Sequence, residues 1–150
     1  MKITLVAMIL GALMTAAPEP KPVRTVLFVC EHGSAKSVVA AAHFNRIAAD
    51  RGLPFHAISR GTVPDPEMAP AAVKGLLGDG LKPADPVPAK LTQSDLDTAV
   101  RVVSFCDLPP DLKVATPIQR WEVPPVSTEY AKSREAMLEL IEKLLIKLPK

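Results

Sequence analysis

The sequence predicts an α/β protein: a three-layer sandwich built around a central four-stranded parallel sheet. Three observations lead there. Short, dense apolar runs alternate with stretches of helical periodicity. Most of the 16 prolines cluster at 18–22, 64–70, 83–88, 109–110 and 124–125, marking connections rather than element interiors. The tail from Ser133 to Leu148 carries an apolar stripe at three-to-four spacing. Strand and helix alternating over the length of one domain is the pattern of a parallel sheet covered on both faces.

Each element has its own reason. Val23–Cys30 is a short, dense apolar run rich in Val, Leu and Phe, as expected of a buried parallel strand. Ser37–Asp50 reads as a helix with Val38, Ala41, Ala42, Phe44, Ile47 and Ala48 on its packed face, and Gly52 stands at the expected stop. Phe55–Ser59 alternates as a second strand, after which Gly61 opens a proline-interrupted connection. Ala69–Leu77 is a second helix, ended by Gly78 and Gly80. Thr92 is an N-cap, with Asp95 three residues on, for a short helix through Thr98. Val100–Cys106 supplies a third strand and Lys113–Ile118 a weaker fourth. In the final helix, Ala136, Met137, Leu140, Ile141, Leu144, Leu145 and Leu148 form the buried stripe.

The first residues form a separate object. Lys2 precedes an apolar stretch that ends in Thr15, Ala16 and Ala17, the layout of a secretory signal peptide. This reading divides the chain into a signal peptide (1–17), a proline-rich spacer (18–22) and one domain (23–150), and it places the mature protein in the periplasm or outside the cell. An uncleaved anchor and a buried first strand are the other readings of the same letters. The stretch is shorter than a membrane span of about 20 residues, so no stable membrane insertion is expected after processing.

Composition narrows the function classes. The chain of 150 residues is 48% hydrophobic and 23% charged, which argues against disorder throughout. A net charge of +2, with one Trp and one Tyr, does not suit a nucleic-acid binder. Two cysteines and three histidines stand in no metal-ligand spacing, so neither a metal nor a cofactor is expected.

The chemistry concentrates in Thr25–Ser37, TVLFVCEHGSAKS. An apolar strand ends in Cys30, and a short polar loop leads straight into a helix. The amides of Glu31, His32, Gly33, Ser34, Ala35, Lys36 and Ser37 can curl around one anion, aided by the helix N-terminus. Gly33 supplies a crowded backbone position, and Lys36 a positive charge. The same amides favour a thiolate at Cys30, which makes it a nucleophile. Ser34 and Ser37 are placed to donate to the sulfur or the anion. An ordinary strand, turn and helix with a buried cysteine is the alternative. In open α/β sheets ligands gather at the carboxyl ends of the strands, where Cys30 and Cys106 both fall.

Other residues carry weaker signals. His32 faces either a ligand or solvent, while His43 and His56 read as surface or edge residues. Arg60 reads as a surface cation or a contact at the active end. Asp107 reads as a cap of its own turn. Trp121 reads as a pocket-mouth residue or as packing for the last helix.

Residues Cys30–Ser37 resemble the loop of the low-molecular-weight phosphotyrosine phosphatase fold family: Cys, five residues, a cation, Ser. Within the family the pattern is most similar to the thioredoxin-coupled arsenate reductases. Ser59–Thr62 (SRGT), Pro66–Leu77 (PEMAPAAVKGLL) and Arg101–Asp107 (RVVSFCD) follow in family order, and the likeness extends over about residues 23–148. It implies that Cys30 attacks phosphorus or arsenic while Lys36 and the loop hold the oxyanion. It also implies that Cys106 resolves the adduct by forming a Cys30–Cys106 disulfide. The implied partners are phosphate, arsenate or a small phosphoester, with a thiol reductant.

Three departures accompany the resemblance. Lys36 stands in place of the family arginine, keeping the charge but not the planar fork. Pro124 and Pro125 occupy the segment where the family carries its acidic proton donor, with Glu122 and Glu129 nearby. No third cysteine follows Cys106. Three functions therefore remain open at this level: a cysteine-dependent phosphatase or arsenate reductase, a non-catalytic oxyanion-binding or regulatory domain with a Cys30–Cys106 disulfide, and a general thiol–disulfide protein.

Overall fold

A computed structural model describes residues 16–150; the signal-peptide reading falls almost wholly on residues outside that range. The elements are β1 (Arg24–Cys30), α1 (Lys36–Asp50), β2 (Phe55–Gly61), α2 (Pro70–Gly78), α3 (Gln93–Thr98), β3 (Ala99–Ser104), β4 (Ile118–Arg120) and α4 (Val126–Lys147). The four strands are parallel, in the order β2-β1-β3-β4, giving the α/β sandwich that the apolar pattern predicts.

β1 is flanked by strands on both sides, and Val26–Cys30 are buried. Its residues divide by parity, as the two-residue period of a strand demands. Val26, Phe28 and Cys30 join one core with α1, α2 and α4, while Leu27 and Val29 join a second with Leu91, Leu96 and Val102. The rings of Phe44 and Trp121 lie 5.9 and 5.5 Å from Phe28, and Trp121 also meets Phe105 at 6.0 Å. Trp121 is thus a packing residue. Consecutive alanines (Ala40, Ala41, Ala42) let α1 settle closely on the sheet, and all three are buried. Asn45 of α1 receives the Ala57 N–H and donates to the Ala57 carbonyl, completing part of the edge strand β2. α3 begins with the expected capping box between Thr92 and Asp95.

Three boundaries differ from expectation. The fourth strand forms at Ile118–Arg120 rather than Lys113–Ile118, because the backbone of Lys113 is bound by the Gln93 side chain and Pro117 has no N–H to give a ladder. The third strand stops at Ser104, whose hydroxyl bonds the Cys106 backbone and turns the chain. α4 begins at Val126, well ahead of Ser133, with a non-helical residue at Glu129 that hides its first turn from a periodicity reading.

His43, expected at the surface, is buried, with Nε2 3.2 Å from Asp79 Oδ2. Tyr130 and Arg134 of α4 donate to the same carboxylate, each at 2.6 Å, so Asp79 ties α1, α2 and α4 together. Burial pushes His43 below its ordinary value, outweighing the pull of Asp79. Burial alone raises Asp79, but the hydrogen bonds from Tyr130 and Arg134 and the nearby positive charge hold it below the usual carboxylate range.

The sign of the pH dependence follows. A buried neutral histidine makes the unfolded chain bind more protons, so stability starts to fall as pH drops below the ordinary imidazole value of 6.5. The depressed Asp79 contributes stability above the ordinary carboxylate range, and this is lost as pH falls through its folded value. The melting temperature is expected to decline in two stages on acidification. His43→Gln should remove the first stage. Asp79→Asn should remove the second and lower stability at neutral pH by about 1–2 kcal/mol.

Candidate active site

The loop between β1 and α1 is held from outside by its carbonyls. Those of Cys30, Glu31, His32 and Ser34 accept from the amides of Thr62, Val63, Asp65 and Ala69, at 3.1, 2.8, 2.9 and 3.0 Å. The peptide bonds of the described residues are all trans, so each following N–H points away from that anchoring segment. The amides of 32–37 donate to no acceptor among the described residues, and the helix N-cap, Ala35, offers no side-chain oxygen to the first turn. Several unpaired donors, with the N-terminus of a 15-residue helix, make a place for an anion.

Two glycines permit this arrangement. Gly33 has φ of +60°, and a Cβ on it would lie 2.7 Å from the Gly61 nitrogen. A Cβ on Gly61 would lie equally close, at 2.7 Å, to the Gly33 nitrogen. The two backbones cross where neither tolerates a side chain.

Cys30 closes the floor of the loop. It is 7% exposed, and its Sγ lies 3.0 Å from the Ser37 hydroxyl. Ser34 does not reach the sulfur: its hydroxyl donates to Asp65 Oδ2 at 2.7 Å, an acceptor that sequence reading missed. Asp65 also lies 3.2 Å from His32 Nδ1. Lys36, the first residue of α1, lines the cavity and forms no ion pair among the described residues. That cavity, of about 380 Å³, is walled by Cys30, Lys36, Phe105, Cys106, Pro125 and Val126, with Glu31 and His32 at the loop. A larger one, about 900 Å³, lies at the opposite end of the strands and carries no nucleophile.

Cys106 enters the same cavity from the turn after β3. Neither Cys30 nor Cys106 is in a disulfide in the structure. Burial pushes the Cys106 thiol up, against the hydrogen bonds from Ser104 and Thr62, and the proximity of Cys30 adds to the rise.

The remaining candidates fall elsewhere. Arg60 is half-buried and pairs with Asp95 at 3.2 Å and Asp85 at 3.5 Å, so it braces the start of α3. Asp107 and Glu122 both pair with Arg120, and Glu129 pairs with Lys132. Neither glutamate lines the cavity, whose wall at that point is Pro125, Val126 and Ser127. His56 is exposed on β2. Among the described residues no group of three or more His, Cys, Asp or Glu side chains is placed to hold a metal ion, and no helix is long and apolar enough to cross a membrane.

Comparison with known proteins places this site in context. The family model for low molecular weight phosphotyrosine protein phosphatase matches residues 25–111, more than half the chain, from β1 through the turn carrying Cys106. An arsenate reductase from Archaeoglobus fulgidus is 28% identical, with a TM-score of 0.61 over 81% of this chain and 96% of that one. A low molecular weight protein tyrosine phosphatase from T. tengcongensis is 26% identical, with a TM-score of 0.67 over 83% and 99%. A thioredoxin-dependent arsenate reductase from Corynebacterium glutamicum shares the fold at 22% identity and a TM-score of 0.65; 84% of this chain covers 64% of its length. No curated protein matches the sequence at a significant level.

Proposed function

Because the chain belongs to the low molecular weight phosphotyrosine protein phosphatase family, we propose that it binds a tetrahedral oxyanion in the Cys30–Ser37 loop and acts on it through Cys30. The observation that supports this reading most is the set of unpaired loop amides above a buried cysteine sulfur. The amides take the equatorial oxygens, and Lys36 adds a point charge. The Ser37 hydroxyl, 3.0 Å from the Cys30 sulfur, is placed to donate to the attacking thiolate. Attack of that thiolate on phosphorus forms a sulfur–phosphorus bond as the ester oxygen departs, and water then releases phosphate.

With arsenate, the Cys30 thiolate forms a sulfur–arsenic bond as one arsenic–oxygen bond breaks and the oxygen leaves as hydroxide, protonated to water, giving a Cys30–arsenic adduct. Cys106, after losing its proton, attacks the Cys30 sulfur. The sulfur–sulfur bond forms, the sulfur–arsenic bond breaks, and arsenic leaves with the electron pair as arsenite. A thiol reductant then restores both cysteines. The Cys30–Cys106 disulfide is an intermediate of this cycle. A second reading, a non-catalytic oxyanion-binding domain, is favoured by one observation: Pro125, Val126 and Ser127 form the wall where the family carries its acid. A general thiol–disulfide exchanger differs from both in needing no oxyanion. For residues 1–17 we propose cleavage after export, to be read from the N-terminal sequence of the mature protein.

The deciding experiment follows p-nitrophenyl phosphate hydrolysis and arsenate reduction by the reduced protein, with phosphate binding measured in parallel. Turnover of either substrate supports the enzyme. Phosphate binding without turnover supports the binding domain, and neither result sinks both readings. Lys36→Arg is expected to raise turnover about tenfold by supplying a planar fork, and Lys36→Ala to lower it by a similar factor.

A further inference from the structure

The wall that holds no carboxylate leaves a question of proton supply. A departing alkoxide or phenolate needs a proton, and Pro125, Val126 and Ser127 have no acid to give. The proton-carrying side chains that do line the Cys30 cavity are Glu31, His32, Lys36 and Cys106, along with hydroxyls. Lys36 serves the anion, and Cys106 is held as a thiol by burial. Glu31 is largely exposed, and its Oε2 is 3.8 Å from His32 Nε2.

His32 differs from these in being positioned. Its backbone carbonyl accepts from the Asp65 N–H at 2.9 Å, and its ring Nδ1 lies 3.2 Å from Asp65 Oδ1. The other oxygen of Asp65 is taken by the buried Ser34 hydroxyl at 2.7 Å, which fixes the carboxylate's orientation. A carboxylate set on Nδ1 leaves Nε2 as the ring nitrogen that exchanges protons, the general logic of an oriented imidazole. The ring is half exposed and lines the same cavity as the buried Cys30.

We propose that His32, oriented by Asp65, is the general acid of this site, in place of an acid on the proline-lined wall. The proposal rests on the hydrolytic reading above. As the Cys30 thiolate attacks phosphorus, the phosphorus–oxygen bond breaks with its electron pair on the leaving oxygen. His32 Nε2 gives that oxygen its proton. The neutral imidazole then takes a proton from the attacking water, and the sulfur–phosphorus bond breaks to release phosphate and the thiolate.

Leaving-group dependence is the test. Phenyl phosphate needs the proton, whereas 2,4-dinitrophenyl phosphate departs readily without it. His32→Gln in the full chain is expected to lower kcat for phenyl phosphate by about 100-fold and to leave dinitrophenyl phosphate within a fewfold. Asp65→Asn should weaken the same discrimination in the same direction. An equal loss on both substrates, or none, overturns the assignment and marks His32 as part of the loop's framework. The failure of the hydrolytic reading is separate: wild-type protein then turns over neither substrate.

Discussion

Cys30→Ser is expected to abolish phosphoester turnover, by about 10⁴-fold or more, while leaving the fold in place. The substitution exchanges sulfur for oxygen at nearly constant shape, in a site packed against Ser37 at 3.0 Å. A serine hydroxyl keeps its proton at neutral pH and is a far weaker nucleophile than a thiolate. The nucleophile is lost while the amides of the loop remain. Phosphate should therefore still raise the melting temperature of the variant. Turnover that persists in Cys30→Ser would show that the hydrolysis belongs to another group or to a contaminant. The same variant leaves Cys106 without a partner, so arsenate reduction should disappear with hydrolysis.

Gly61→Ala carries the second large effect. Its new methyl group would meet the Gly33 nitrogen at 2.7 Å and the His32 carbonyl carbon at 2.9 Å. Both neighbours are backbone, so no rotamer change relieves the contact. Gly61 is itself held, donating to the Ala89 carbonyl and accepting from the Leu91 amide, both at 2.8 Å. The loop must shift, and the carbonyl anchors from Thr62 to Ala69 shift with it. A loss of about 2–3 kcal/mol in denaturant unfolding is expected, together with loss of phosphate binding. Gly33→Ala should behave alike, with the added strain of its positive φ. Normal stability and normal phosphate binding in either variant would refute the crossing-backbone account of the loop.

Much of the fold is legible in the chain because burial is written into local pattern. β1 is apolar from Val26 to Cys30, where it is buried, and α4 shows a stripe since only one face packs. The capping box at Thr92 and Asp95 is a local hydrogen-bond signature, and it was readable as one. β4 was misplaced for the complementary reason. A three-residue edge strand has little pattern of its own and exists where β3 offers ladder partners. The start of α4 was missed because the irregular Glu129 breaks the helical period.

The same division runs through the site. Cys30, Gly33, Lys36 and Ser37 lie within eight residues of one another, so a strand, loop and helix N-terminus suffice to suggest an anion site. Gly61, the last residue of β2, and Asp65, in the proline-rich connection that follows, lie about thirty residues away. Their roles arise only when the connection folds back along the loop, because hydrogen bonding and steric exclusion act at a few ångströms, whatever the distance along the chain. His43 escaped for this reason too: a lone helical histidine looks solvated until α2 and α4 close over it. By itself the sequence determined the α/β class, the order of the main elements and the position of the candidate nucleophile, all set by local periodicity and turn chemistry. Only the tertiary structure decided which amides stay unpaired, which carboxylate lies beside His32 and which cavity Cys106 shares with Cys30, because each depends on contacts between segments that no local pattern encodes.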